Sequence, residues 1–139
     1  METKIRKIKK EDFSKLYSFW KAVDLWTYPF EEEKEKFERA FALNPSIMFV
    51  MLDDKSEIID TIIGCFDGRS ASVHRLAVSP DLQGKGYGKM LLKTLEARFK
   101  KQGIKKVALQ VHISNLNVLE FYKKQGYIKD EVFTLKKIL

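Results

Sequence analysis

Apolar residues recur at helical spacing in two early segments and gather in short runs through the middle of the chain, so the pattern lays out an order of elements. Phe13, Leu16, Tyr17, Trp20 and Val23 share one face of a helix. Glu11 and Asp12 stand at its start, where the helix dipole favours negative charge. A second helix is expected after Pro29, with Glu31, Glu32 and Glu33 in its first turn. It has to end near Asn44, because the residue before Pro45 is pushed out of the α region. Residues 3–8 read as an edge strand. Residues 47–52 and 58–66 are strand-like on either side of Asp53-Asp54-Lys55-Ser56, and Asp67-Gly68-Arg69 turns into a further central strand at 70–78.

Pro80-Asp81 ends that strand. An amphipathic helix then spans 86–102, with Leu91, Leu92, Leu95 and Phe99 on one face and Gly103 placed for a left-handed cap. A strand is expected at 106–111 and a helix at 117–125, where Asn117 and Glu120 have capping-box spacing and Gly126 closes the element. Residues 127–129 and 132–138 suggest a terminal hairpin around Asp130-Glu131. The order β-α-α-β-β-β-α-β-α-β-β is that of an α/β (α+β) protein. Hairpins beside crossover helices imply a mixed, largely antiparallel central sheet flanked by helices, not a doubly wound one.

No repeat, low-complexity tract or Pro/Gly/Ser-rich linker divides the sequence, so one domain over residues 1–139 is expected, long enough for a core without staples. Cys65 is the only cysteine, which excludes an internal disulfide and a cysteine metal cluster. The basic N-terminus lacks the apolar run of a secretory signal, and no stretch approaches the roughly 18 apolar residues of a membrane span. A cytoplasmic protein is therefore expected. The net charge of +7, from 26 Lys+Arg against 19 Asp+Glu, favours anionic ligands. These basic residues are spread along the chain, unlike the clustered face of a nucleic-acid binder.

The segment Leu76-Ala77-Val78-Ser79-Pro80-Asp81-Leu82-Gln83-Gly84-Lys85-Gly86-Tyr87-Gly88-Lys89 joins a strand end to a helix start. Its three glycines let the backbone turn tightly and approach a ligand closely. The following helix offers unpaired N–H groups and a positive dipole end, a natural seat for a pyrophosphate, and Lys85 and Lys89 add charge. The spacing excludes two competing motifs. Met90 after Lys89 breaks a Walker A loop, and Lys89 stands where a dinucleotide fingerprint needs its third glycine.

Gln83-Gly84-Lys85-Gly86-Tyr87-Gly88 resembles the Q/R-x-x-G-x-G/A signature of the GNAT superfamily of N-acetyltransferases, and Leu76-Ala77-Val78-Ser79-Pro80 is similar to the strand end before it. Asn115, then Phe121-Tyr122, then Gly126-Tyr127 resembles a second segment of that family. The likeness is close over about residues 58–135 and rests on element order before them. It implies a GNAT-like sheet, acetyl-CoA as co-substrate and no metal. Acetyl transfer to an amine would proceed by direct attack on the thioester, without an acyl-enzyme. It further implies that the backbone of Leu76, Ala77 and Val78 binds the pantetheine arm, one amide polarising the thioester carbonyl. The amides of Gln83, Gly84, Lys85, Gly86, Tyr87, Gly88 and Lys89 would hold the pyrophosphate, Asn115 would bond the cofactor arm, and Tyr122 would protonate the departing thiolate. Asn115 as a helix-entry cap and Tyr122 as a packed aromatic are the plainer alternatives.

Where family members carry a strand glutamate as base, this chain has Gln110 or Ser72. His74 is the remaining candidate, as a neutral imidazole relaying a proton through water. Strand alternation places it on one face with Ser72 and Leu76; His112 ranks lower. Cys65 reads as an inert, buried small hydrophobe. The acceptor site is expected around Asp24-Leu25-Trp26-Thr27-Tyr28-Pro29-Phe30, whose aromatics either line a pocket or staple two helices, with Asp24 a partner for a cationic amine. The expected partner is an amine acceptor, a homodimer being left open, with neither nucleic acid nor membrane involved. Rival readings are a non-catalytic acyl-CoA sensor and a protein N-terminal or lysine acetyltransferase.

Overall fold

A computed structural model describing residues 1–139 gives five strands and four α-helices. In chain order they are β1 (Lys4–Lys7), α1 (Phe13–Ala22), α2 (Phe30–Leu43), β2 (Met48–Leu52), β3 (Ile58–Phe66), β4 (Ala71–Val78), α3 (Tyr87–Lys101), β5 (Val107–Leu109) and α4 (Leu119–Lys124). The strands lie side by side in the order β1-β2-β3-β4-β5. Every neighbouring pair is antiparallel except β4 and β5, which are parallel. That exception follows from connectivity. Short turns return the chain antiparallel, whereas α3 carries it back across the sheet to start β5 in the direction of β4.

Two apolar layers clothe the sheet. On one face α1 and α2 bury Leu16, Trp20 and Phe37 against Met48, Val50 and Ile63. On the other, α3 buries Leu91, Leu92, Leu95 and Phe99 against Phe49, Ile62 and Val73, with Phe121 and Tyr122 of α4 beside them. Each such leucine contributes about 1.5–3 kcal/mol by leaving water. Gly64 of β3 sets how closely α3 approaches. A Cβ there would lie 2.7 Å from Leu95 Cδ1 and 2.8 Å from the Ile47 carbonyl, so only glycine fits. No helix is long and apolar enough to cross a membrane.

The mixed, largely antiparallel sheet flanked by helices is as expected, but three features at the C-terminal end differ. The terminal hairpin over 127–129 and 132–138 does not form, and the two last expected strands are absent. Ile128, Phe133 and Leu135 are 91%, 97% and 91% exposed, and Gln110, just past β5, donates through Nε2 to Thr134 Oγ1 at 2.8 Å. Apolar residues of 132–138 fall on both sides of an extended chain, so no register buries them together, and β5 offers an edge of only three residues. That short β5 is the second difference. The third is α4, which starts at Leu119 after a 3₁₀ stretch, Ile113–Val118, with no side-chain cap, so Asn117 and Glu120 form no capping box.

Asp60 is the one acid wholly inside the sheet, at 0% exposure, across from Met51 and Val78. Neither carboxyl oxygen has a hydrogen-bond partner. Burial pushes its pKa from 3.8 up to about 8, the nearby Thr61 N–H offsetting part of the rise. At pH 7 the carboxyl is neutral. The folded chain keeps this proton where the unfolded chain releases it, so the group's contribution to stability falls as pH rises from about 4 to about 8. The slope is about 1.4 kcal/mol per pH unit. Asp60→Asn removes that slope. Urea denaturation from pH 4 to 8 is expected to show the variant gaining on the parent at each step; parallel curves would contradict the burial argument.

Candidate active site

The site starts from an irregularity in β4. His74 pairs with Ile63 and Ala77 with Thr61, so Arg75 and Leu76 together stand opposite the single residue Ile62. This is a β-bulge, and Arg75 adopts the left-handed region at φ 55°. The extra residue reverses the facing of side chains along the strand. His74, bonded through Nε2 to Ser72 Oγ at 2.8 Å, points to the α1–α2 layer with its partner Ile63. Leu76 instead packs with the α3 layer. The expectation that His74 and Leu76 share a face therefore fails, because alternation holds only without a bulge.

Several groups fix the bulge in place. Thr61 Oγ1 donates to the Arg75 carbonyl at 2.8 Å and accepts from the Trp20 indole N–H at 3.1 Å. The Arg75 guanidinium lies over the Trp20 ring, 5.0 Å from its centroid, and pairs with Glu33 Oε1 at 2.9 Å. It also donates to the Trp26 carbonyl. Sequence reasoning missed Arg75 and Glu33. One lies among strand residues and the other in a run of three glutamates, and neither position carries a local signal of contact with the other.

Beyond the bulge the sheet opens. β5 bonds β4 only through the pairs from Ala71–Val107 to Val73–Leu109, which leaves residues 74–78 of β4 without a strand neighbour on that side. A short 3₁₀ turn, Pro80–Leu82, then leads into the glycine loop, and Gln83 Nε2 ties the loop to the Val78 carbonyl at 3.2 Å. Gly84 and Gly86 take φ of 78° and 88°, which is where these glycines are needed. None of the six amides from Gly84 to Lys89 donates to another backbone group; the next amide, that of Met90, returns to the Gly86 carbonyl. Gly88 brings the first turn of α3 against the end of β4, where a Cβ would sit 3.2 Å from Val78 Cγ2. Six free donors at a helix N-terminus, with exposed Lys85 and Lys89, are the features that suit an anion.

The expected side-chain groups lie on several different elements. Asn115 lies in the 3₁₀ stretch with non-helical φ and ψ of −125° and 33°, exposed. His112, not Asn115, caps that stretch, its Nδ1 accepting the Ser114 N–H at 3.1 Å. Tyr122 is half-buried in the α3 layer, edge-on to Phe121 and Tyr127. Burial raises its pKa, so the phenol keeps its proton at neutral pH. Tyr127 donates to Glu96 at 2.8 Å. His74 stands on the opposite face, exposed, its pKa lowered by desolvation and then by the Arg75 charge, so the imidazole is neutral at pH 7. Cys65 is half-buried on β3, and burial raises its thiol pKa, which disfavours the thiolate.

The aromatics of the loop between α1 and α2 are placed differently from one another. Phe30 packs on Phe13 and Tyr17, with centroids 5.2 Å and 5.1 Å away, and so acts as a staple. Trp26 is 69% exposed and edge-on to Tyr28 at 4.7 Å, packed on no other part of the core. Asp24 has a backbone role. At φ 59° it ends α1, with the Asp24 N–H on the Lys21 carbonyl and the Leu25 N–H on the Trp20 carbonyl, the bond pattern of a Schellman cap.

Comparison with known proteins agrees with this architecture. The model of the acetyltransferase (GNAT) family matches residues 5–127. The PaiA N-acetyltransferase of Thermoplasma acidophilum, solved in complex with coenzyme A, superposes with a TM-score of 0.82 at 27% identity, covering 96% of this chain and 94% of its own. Ard1 of Thermoplasma volcanium gives 0.80 at 20% identity, over 92% and 84% of the two chains. The glucosamine-6-phosphate N-acetyltransferase of Arabidopsis thaliana gives 0.72 at 22%, over 99% of each.

The backbone role of Asp24 is open to test. Asp24→Gly removes the Cβ that disfavours the left-handed region, and is expected to stabilise the fold by up to about 1 kcal/mol. Thermal unfolding measures the gain. A loss of stability would show that the Asp24 side chain does more than cap the helix.

Proposed function

The chain belongs to the GNAT family of acetyltransferases and is an acetyl-CoA-dependent N-acetyltransferase, and from that premise we propose that it acetylates a primary amine by direct attack on the thioester. The observation that carries this reading is the run of six unpaired amides from Gly84 to Lys89, continuous with the unpaired edge of β4. The first supplies donors for a pyrophosphate. The second supplies strand backbone, at Leu76, Ala77 and Val78, for an extended amide-containing arm. Gln83 holds the two together, and Asn115 reaches the same arm from the β5 side.

The chemistry follows from what flanks the gap. The amine nitrogen attacks the carbonyl carbon, and a backbone amide on the edge of β4 that β5 leaves bare stabilises the charge that grows on oxygen. As the carbon–sulfur bond breaks, Tyr122 gives its phenolic proton to the thiolate; its raised pKa keeps that proton available. The proton lost by the amine passes to solvent through the neutral imidazole of His74, on the opposite face. Cys65 takes no part, since a thiol with a raised pKa is a poor nucleophile.

A panel of polyamines, aminosugars and peptides, scored for free thiol release from acetyl-CoA, tests the reading. At least one primary amine is expected to give turnover, and Tyr122→Phe to reduce kcat by about 10²–10⁴ with unchanged acetyl-CoA affinity. Turnover that survives Tyr122→Phe intact would remove the tyrosine from the mechanism. No turnover with any amine would leave the primary-amine proposal without support.

A further inference from the structure

We infer that Arg75 and Glu33 are positioning residues that couple the acceptor loop between α1 and α2 to the donor-side backbone of β4. This inference rests on the functional reading above. Its starting point is that one residue belongs to both sides. The Arg75 backbone forms the bulge on the β3 side of β4, in the stretch 74–78 whose other edge has no strand neighbour because β5 pairs only as far as Val73. Its side chain leaves by the opposite face and grips the acceptor side, donating to the Trp26 carbonyl and to Glu33 Oε1. Glu33, 6% exposed in the first turn of α2, uses the same oxygen to accept the Tyr28 N–H at 3.1 Å.

The loop is therefore held at two backbone points, the Trp26 carbonyl and the Tyr28 N–H, and both lead to Arg75. These two points flank Thr27 and frame exposed Trp26, the aromatic left free to meet an acceptor. The charged pair is nearly enclosed, with side-chain exposures of 20% and 8%, and Arg75 also lies over Trp20. Such a pair is costly to bury unless its geometry is used. The clamp sets the distance from the acceptor amine to the carbonyl carbon held on β4. A lysine at 75 keeps the charge but cannot reach both oxygens with a planar fork.

Amide hydrogen exchange tests the coupling without needing an identified acceptor. In the parent protein, acetyl-CoA is expected to slow exchange at residues 84–89, where it binds, and also at Trp26 and Tyr28, by about tenfold or more. Arg75→Gly relieves the left-handed strain and keeps the bulge while deleting the guanidinium. In it, protection at 84–89 is expected to persist and protection at Trp26 and Tyr28 to be lost. Arg75→Lys is expected to restore at most part of it, and Glu33→Gln to weaken it. With an acceptor in hand, Arg75→Gly is expected to lower kcat and raise the amine KM by about tenfold or more each, leaving acetyl-CoA affinity within about twofold. Loop protection equal in parent and Arg75→Gly would overturn the coupling. Absence of protection at 84–89 in the parent would overturn the donor-site reading itself, and the coupling with it.

Discussion

Arg75 held in a left-handed conformation is the constraint on which the site is built. A non-glycine residue there costs about 1–2 kcal/mol, and the surrounding groups offset it. Thr61 fixes the carbonyl, Trp20 fixes Thr61 and stacks on the guanidinium, and Glu33 neutralises the charge. The extra residue turns His74 to the α1–α2 layer and Leu76 to the α3 layer. One local distortion thus leaves His74 and Leu76 on opposite faces of the sheet, and Tyr122 packs on the α3 side with Leu76. It also ends the regular ladder near the place where β5 parts from β4.

The glycine loop depends on that opening and on α3. Helix α3 is drawn onto the sheet by four buried side chains and by the missing Cβ of Gly64, and this aims its N-terminus at the end of β4. The dipole and the free amides then point where the strand edge is bare. Lys85 and Lys89 add charge that solvent screens, so the backbone donors carry the specificity. The proposed donor site is consequently mostly a matter of backbone shape. The proposed acceptor side is instead made of side chains, in the loop held at Trp26 and Tyr28.

Much of this was legible in the sequence, for identifiable reasons. Helical and alternating patterns report burial directly, and Leu91, Leu92, Leu95 and Phe99 are buried as their spacing requires. The glycines at 84 and 86 report backbone conformation, and both have positive φ. The bulge was not legible, because it arises from non-local partners: Thr61 and Trp20 decide the conformation of Arg75 from other elements. The Arg75–Glu33 pair spans 42 positions and leaves no local trace. The terminal hairpin was over-read from residues 132–138, since β-propensity cannot supply the edge that a strand must pair with. The backbone role of Asp24 as a helix terminator was equally invisible, since it depends on its left-handed φ and not on its carboxylate.

The central claim is that the free amides of residues 84–89 bind the donor through its diphosphate. Calorimetric titration with acetyl-CoA and with S-acetylpantetheine, which keeps the thioester and arm but lacks the diphosphate and its adenosine nucleotide, run beside 3′-phosphoadenosine alone to subtract the nucleotide, measures this. The account predicts that acetyl-CoA binds about 100-fold or more tightly, the equivalent of about 2.7 kcal/mol from charge-assisted hydrogen bonds to those amides. Equal affinity for the two molecules would contradict it.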